Sequence, residues 1–208
     1  MVRRGESGVL VLASGNAGKL REMEQLLNPL GFRLRPQSDW QVPEAVEDGL
    51  TFLENALIKA RHTASLTGRA ALADDSGLVV PALGGEPGIH SARYSQDPVG
   101  DAANNAKLLQ ALEGLEGDQR QAYFHCTVVL LRSPSDPAPL VASADWWGSV
   151  LHEPRGSGGF GYDPLFLVPD LGCSSAELPP ATKNRISHRG QAIRALAKAL
   201  EQRRGHLR

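Results

Sequence analysis

The chain has 208 residues, 41% hydrophobic and 22% charged, a globular composition long enough for one large domain or two small lobes and incompatible with disorder. Its formal net charge of −1 argues against a general nucleic-acid binder, which carries a basic surplus, so a polyanionic ligand must meet a local basic cluster. Cys126 and Cys173 lack CxxC spacing, which points away from a zinc site or a disulfide framework and leaves them as buried or idle thiols.

Residues 1–8 read as a flexible N-terminus. The apolar segment after them, Val9 to Ala13, is too short for a signal sequence, and no stretch reaches transmembrane length. A cytoplasmic protein without membrane contact is expected. Val9–Ala13 itself reads as a buried strand. A helix follows from about Lys19 to Leu27, with Leu20, Met23, Leu26 and Leu27 at helical spacing and Pro29 beyond its end. Phe32–Arg35 reads as a short strand and Thr51–Ser65 as a long amphipathic helix. Ala70–Ala73 and Leu78–Val80 read as two strands separated by a turn at Asp74-Asp75-Ser76-Gly77. A third helix is predicted over Ala102–Leu112. Ala122–Leu131, Pro139–Ala144 and Trp147–Leu151 then read as a meander. A glycine-rich loop, Gly156 to Gly161, precedes a strand near Leu165–Val168, and a helix from about Gly190 to Arg203 closes the chain. The pattern is α/β: a mixed sheet flanked by helices, with an antiparallel insertion, in two lobes that share a cleft.

Five segments carry candidate chemistry. Adjacent aspartates repel each other and make poor strand residues, so Asp74-Asp75 is either a solvated acidic turn or a pair neutralised by a hard divalent cation. Ser14-Gly15-Asn16-Ala17-Gly18-Lys19 joins a strand to a helix, where backbone N–H groups and the lysine could hold phosphate. It is not a Walker A loop, and an ordinary glycine-containing turn is equally consistent with it. On the second helix Phe52, Asn55, Lys59 and Thr63 share one face, beside a face of Leu53, Leu57, Ala60 and Ala64 expected to pack on the sheet. Asn55 and Lys59 could face a phosphate, with Glu47 just upstream joining the aspartates around a cation; a solvated helix face is the alternative.

Phe160-Gly161-Tyr162-Asp163-Pro164 offers aromatic faces and an acceptor suited to a nucleobase, or else a hairpin with a core aromatic. Ser187 suits a helix N-cap, which puts His188 and Arg189 at the positive end of a helix. Cations are awkward there unless they serve a ligand, and Lys183 lies close upstream. His62, His90, His125, His152 and His206 show no ligand-like spacing.

The order of these motifs, together with Pro87-Gly88 and Ser91-Ala92-Arg93-Tyr94, resembles the inosine triphosphate pyrophosphatase family (the RdgB/HAM1-type dITP/XTP pyrophosphatases) from about Val9 to Leu200. The resemblance implies Mg²⁺-dependent hydrolysis of ITP, dITP and XTP to the monophosphate and pyrophosphate, removing aberrant purines from the nucleotide pool. It also implies one elongated two-lobed domain over residues 1–208 and a homodimer. By the same resemblance Ser14, Gly15, Asn16, Ala17, Gly18 and Lys19 bind the triphosphate, and Asp75 accepts a proton and ligates metal with Glu47 and Asp74. Ser76, Phe160, Gly161, Tyr162, Asp163, Lys183, His188 and Arg189 hold the nucleotide. Lys19 and Lys59 would neutralise charge on the leaving group. Donors from His188 or Arg189 would satisfy the C6 oxygen of hypoxanthine or xanthine and oppose the amino group of adenine. Two other readings are a pyrophosphatase of the related Maf type, acting on pyrimidine or methylated nucleotides, and a non-catalytic nucleotide-binding module.

Overall fold

The computed structural model describes residues 9–98 and 100–205; the N-terminal residues 1–8 lie outside it. In chain order the elements are β1 (Val9–Leu12), α1 (Ala17–Leu27), β2 (Arg33–Pro36), α2 (Phe52–Thr67), β3 (Ala71–Val79), α3 (Asp101–Ala111), β4 (Gln121–Leu131), β5 (Leu140–Val150), β6 (Phe166–Val168), β7 (Cys173–Ser174), α4 (Pro180–Ile186) and α5 (His188–Gly205). They build one seven-stranded mixed sheet in the order β2-β1-β3-β4-β5-β6-β7. β1 runs parallel to both neighbours, with Leu10 opposite Leu34 and Val11 opposite Ala71, while β5, β6 and β7 are antiparallel. A strand flanked on both edges and covered on both faces needs a continuous apolar run, and Leu10 to Ala13 are accordingly all buried.

The chain divides into two compact units. The first comprises the described parts of Met1–Asp75, Thr127–Ser143 and Gln191–Arg208, and the second comprises Ser76–Cys126 and Ala144–Gly190. The first is packed around small and branched side chains, Ala13, Ala56, Ala60, Ala73, Val129 and Leu131. The second has an aromatic core in which Phe124, Trp146, Tyr162 and Phe166 meet Leu78, Leu108 and Leu165.

The expected turn at Asp74-Asp75-Ser76-Gly77 does not form. β3 runs unbroken through it, and Ala71 to Asp75 are all buried. Successive strand residues face opposite sides of a sheet, so the two carboxylates diverge and each meets its own lysine. Gly77 supplies close approach rather than a bend. A Cβ there would collide with the Gly88 carbonyl oxygen and the Ser91 hydroxyl, which itself accepts from Leu78 N–H at 2.9 Å. Gly77→Ala is therefore expected to destabilise the protein by roughly 1–3 kcal/mol in urea denaturation. An unchanged unfolding midpoint would contradict this packing.

The two strands expected over Pro139–Ala144 and Trp147–Leu151 are likewise one strand, β5. Cross-strand pairs bridge the expected gap: Thr127 with Ser143 (2.8 Å), His125 with Asp145 (2.6 Å), and Tyr123 against Trp147 with ring centroids 4.5 Å apart. On α2 the buried face is Asn55, Ala56, Ala60, Thr63 and Ala64, and Leu53 is 41% exposed, so the apolar stripe predicted for the sheet is displaced. Small residues let α2 lie close, and this carries the polar Asn55 inward with them. Sequence reasoning missed α4, whose Pro180 stands in the first turn, where its missing N–H costs nothing, and it also missed β7.

Candidate active site

β1 ends at Leu12, and the following loop turns into α1 through its own side chains. Asn16 caps the helix, its Oδ1 accepting from Gly18 N–H (2.8 Å) and Lys19 N–H (3.0 Å), while Asn16 N–H donates to Ser14 Oγ (3.1 Å). Several backbone donors of the expected phosphate loop are thus already engaged internally. The capped helix sends the Lys19 ammonium to within 3.1 Å of the buried Asp74 carboxylate. At Gly15 a Cβ would come within 2.8 Å of Glu44 Oε1, so the absent side chain leaves room for that carboxylate.

α2 supplies the other half of this cluster. Thr51 caps it by accepting from Glu54 N–H (3.2 Å), and Glu54 reaches back to Leu50 N–H (2.9 Å), which fixes the entry of the helix. One turn further on, Asn55 accepts from Gly49 N–H (2.9 Å) and points its amide nitrogen at Asp75 Oδ2 (3.4 Å). The next turn places Lys59 Nζ 2.6 Å from Asp75 Oδ1 and 3.2 Å from Glu47 Oε2. One ammonium therefore gathers two carboxylates brought by different segments, and Asn55 ties the Glu47–Gly49 loop to the same aspartate.

Burial pushes the Asp75 carboxyl above its ordinary range, and the attraction of Lys59 and Lys19 pulls it only part of the way back. For Lys59 burial acts to lower the pKa, but the carboxylates of Asp75, Asp74 and Glu47 outweigh it and hold the ammonium above its usual value. The donors here are all oxygens, the chemistry a hard cation prefers. Among the described residues no group of three acidic, histidine or cysteine side chains forms a ready-made metal cage.

A second cluster lies wholly in the second unit. The Asp163 carboxylate accepts from Lys183 Nζ (2.6 Å), Ser175 Oγ (2.8 Å) and Phe160 N–H (2.9 Å). Lys183 Nζ also stands 4.9 Å from the centre of the half-buried Phe160 ring, and the Arg189 guanidinium stands 5.7 Å from it. Arg189 Nη2 donates to Ser76 Oγ (3.0 Å). α5 starts at His188, two residues earlier than expected. Ser187 is its cap, accepting from Gly190 N–H (3.3 Å). The His188 ring lies flat on Phe124, with centroids 4.8 Å apart and planes 10° from parallel, and is only 5% exposed.

Tyr162, for which the sequence leaves a stacking face and a core position open, packs in the core of the second unit. It is 3% exposed, and its hydroxyl donates to Ser91 O at 2.9 Å. Burial pushes that hydroxyl well above its ordinary pKa. Ser91 and Ser175 were not singled out from the sequence as polar partners, because a lone serine carries no spacing signal.

The family model for the Ham1 family matches residues 10–199. The chain belongs to the Ham1 family. The dITP/XTP pyrophosphatase of Vibrio cholerae is 53% identical over 94% of this chain and 98% of its own length. That of Thioalkalivibrio sulfidiphilus is 55% identical over 93% and 99%. Among solved structures, a HAM1 protein from Coxiella burnetii superposes on this Ham1 family chain with a TM-score of 0.86 at 48% identity, covering 93% of this chain and 98% of that one.

Proposed function

We propose that this protein is a nucleoside triphosphate pyrophosphatase. It hydrolyses the deaminated purine nucleotides ITP, dITP and XTP to monophosphate and pyrophosphate, and so clears aberrant purines from the cytoplasmic nucleotide pool. The observation that carries the reading is the buried Asp75, whose carboxylate shares the Lys59 ammonium with Glu47. Kinship with dITP/XTP pyrophosphatases over 93–94% of the chain supports that substrate class.

Asp75 and Glu47, which share the Lys59 ammonium, would hold Mg²⁺, and Asp74, which meets Lys19 on the other side of the strand, would support the site. The cation, when bound, polarises the phosphoryl group and acidifies water. Asp75 accepts the proton of the water that attacks the α-phosphorus. The bond from that phosphorus to the bridging oxygen breaks, and pyrophosphate leaves. Lys19 and Lys59 sit beside Asp74 and Asp75, where they offset charge building on the leaving oxygens. The free donors of the Ser14–Gly18 loop contact the phosphates.

Ser76, held by Arg189, belongs to the base-recognition cluster of the second unit. There Phe160 stacks on the purine, and Lys183, His188 and Arg189 surround its polar edge; Asp163 holds Lys183 and the Phe160 amide in place. Self-association into a homodimer is part of the proposal, and light scattering in solution would check it. The test of function is a panel of nucleoside triphosphates scored for pyrophosphate release. ITP, dITP and XTP are expected to be turned over at least 10-fold faster than ATP and the pyrimidine triphosphates, with turnover lost in excess chelator and restored by Mg²⁺. Preference for a pyrimidine or methylated nucleotide would favour the Maf-type reading, and tight binding of ITP without turnover a non-catalytic module.

A further inference from the structure

The loop that carries Phe160 is also gripped from α3, by residues outside every motif described above. Gly161 N–H donates to Asp101 Oδ2 (2.7 Å), and Asn105 Nδ2 donates to the Gly161 carbonyl (3.0 Å). Asp101 and Asn105 stand four residues apart, on one face of the helix, so a single turn of α3 holds both backbone polar groups of one residue. With Phe160 N–H held by Asp163, two consecutive amides of the loop each end on a carboxylate, and the Phe160 Cα is bracketed between them.

On its other side the loop packs closely on Ala176, where Gly158 N–H donates to Ala176 O at 3.1 Å and a Cβ on Gly158 would come within 2.7 Å of that oxygen. Toward α3 the packing is looser: a pocket of about 490 Å³ is lined by Ala102, Ala106 and Leu109 on the helix and by Gly158, Phe160 and Gly161 on the loop. The segment is rich in glycine, and Gly161 itself lies at φ +63°, so the chain here loses much freedom on being ordered. On the side facing α3, the two hydrogen bonds with Asp101 and Asn105 therefore supply the fixing that side-chain packing does not. Ordering it before the nucleotide arrives lowers the entropy lost on binding.

We propose that Asp101 and Asn105 are positioning residues for base recognition. By holding the N–H and the carbonyl of Gly161 they fix the plane of the Phe160 ring beside Lys183 and Arg189, and so set both KM and the discrimination between 6-oxo and 6-amino purines. The proposal rests on the reading of Phe160 as the face on which the purine stacks. Asp101 and Asn105 touch neither the base nor the reacting atoms.

Steady-state kinetics with ITP and with ATP test it on Asp101→Ala, Asn105→Ala, the double variant, Asp101→Asn and Phe160→Ala, each checked for folding by thermal melting. The double variant is expected to raise KM for ITP on the order of tenfold with kcat nearly unchanged, and to lower the ITP-over-ATP ratio of kcat/KM. Asp101→Asn keeps an acceptor oxygen toward Gly161 N–H and is expected to retain most of the discrimination. If Asp101→Ala does not fold, Asn105→Ala, which removes a single neutral hydrogen bond, carries the same expectation at smaller amplitude.

Equal losses for ITP and ATP through kcat would mark a merely structural role and overturn the proposal. So would unchanged kinetics, or an Asp101→Asn enzyme as impaired as Asp101→Ala. If Phe160→Ala raises KM for ITP and the α3 variants do not, the positioning role alone fails. If Phe160→Ala leaves KM for ITP unchanged, the assignment of the base site fails and this proposal falls with it.

Discussion

Asp75→Asn is expected to lower kcat for ITP by ~10²-fold or more while leaving the protein folded. The amide is nearly isosteric with the carboxylate, and its oxygen still accepts from the Lys59 ammonium that now lies 2.6 Å away. What the variant loses is basicity and negative charge. The neutral amide takes no proton from water at any working pH, and it is a poorer ligand for a hard cation. The exchange weakens the ion pair with Lys59, but Lys59 keeps Glu47 at 3.2 Å and can still donate to the amide oxygen, so the melting temperature should fall only modestly. Loss of turnover with retained stability is therefore the signature of a catalytic carboxylate. Near-normal turnover would move the proton acceptor elsewhere, and a collapse of the fold would make Asp75 an architectural partner of Lys59.

The sequence marks part of this site only by residue types that are costly where they stand: His188-Arg189 in the first turn of a helix reads as a misfit that favours a ligand. Asn55, Lys59 and Glu47 are open between a ligand-facing cluster and a solvated helix face, and the structure gathers them with Asp75. The error at Asp74-Asp75 has an instructive cause. Local repulsion and poor strand propensity both argue for a turn, yet a strand separates neighbours onto opposite faces, and two lysines distant in sequence complete the neutralisation. Tertiary partners overrode local preference, and no window of residues around position 74 contains Lys19 or Lys59.

Tyr162 shows the converse. Its aromatic ring suited a ligand or a core equally, and its hydroxyl found Ser91 across the second core. Asp101 and Asn105 left no trace in the sequence, since an acid in the first turn of a helix and an asparagine four residues on are ordinary. Their significance lies in the loop they meet some 60 residues later.

Lys183→Met is expected to be the most destabilising change at the base-recognition cluster. Lys183 and Asp163 pair at 2.6 Å with side chains 8% and 3% exposed, so the variant removes the ammonium from beside a carboxylate that water cannot reach. Removing one member of a buried ion pair typically costs about 3–5 kcal/mol, mostly through the charge left behind. Ser175 and Phe160 N–H remain as donors to Asp163, which places the expectation near the lower end of that range, measurable as a shift of the urea midpoint.

The double variant Lys183→Met/Asp163→Asn separates folding from recognition. With the carboxylate neutralised and the methionine filling the volume of the lysine stem, most of the lost stability should return. Recognition should not return with it, because the cation beside the Phe160 ring is gone and the Phe160 amide is held by a weaker, neutral acceptor. KM for ITP is expected to stay raised by about tenfold or more in the double variant. A double variant that recovers both stability and KM would confine the pair to the architecture of the second unit. One that recovers stability alone assigns the pair a part in holding the base, through a charge that the fold itself does not need.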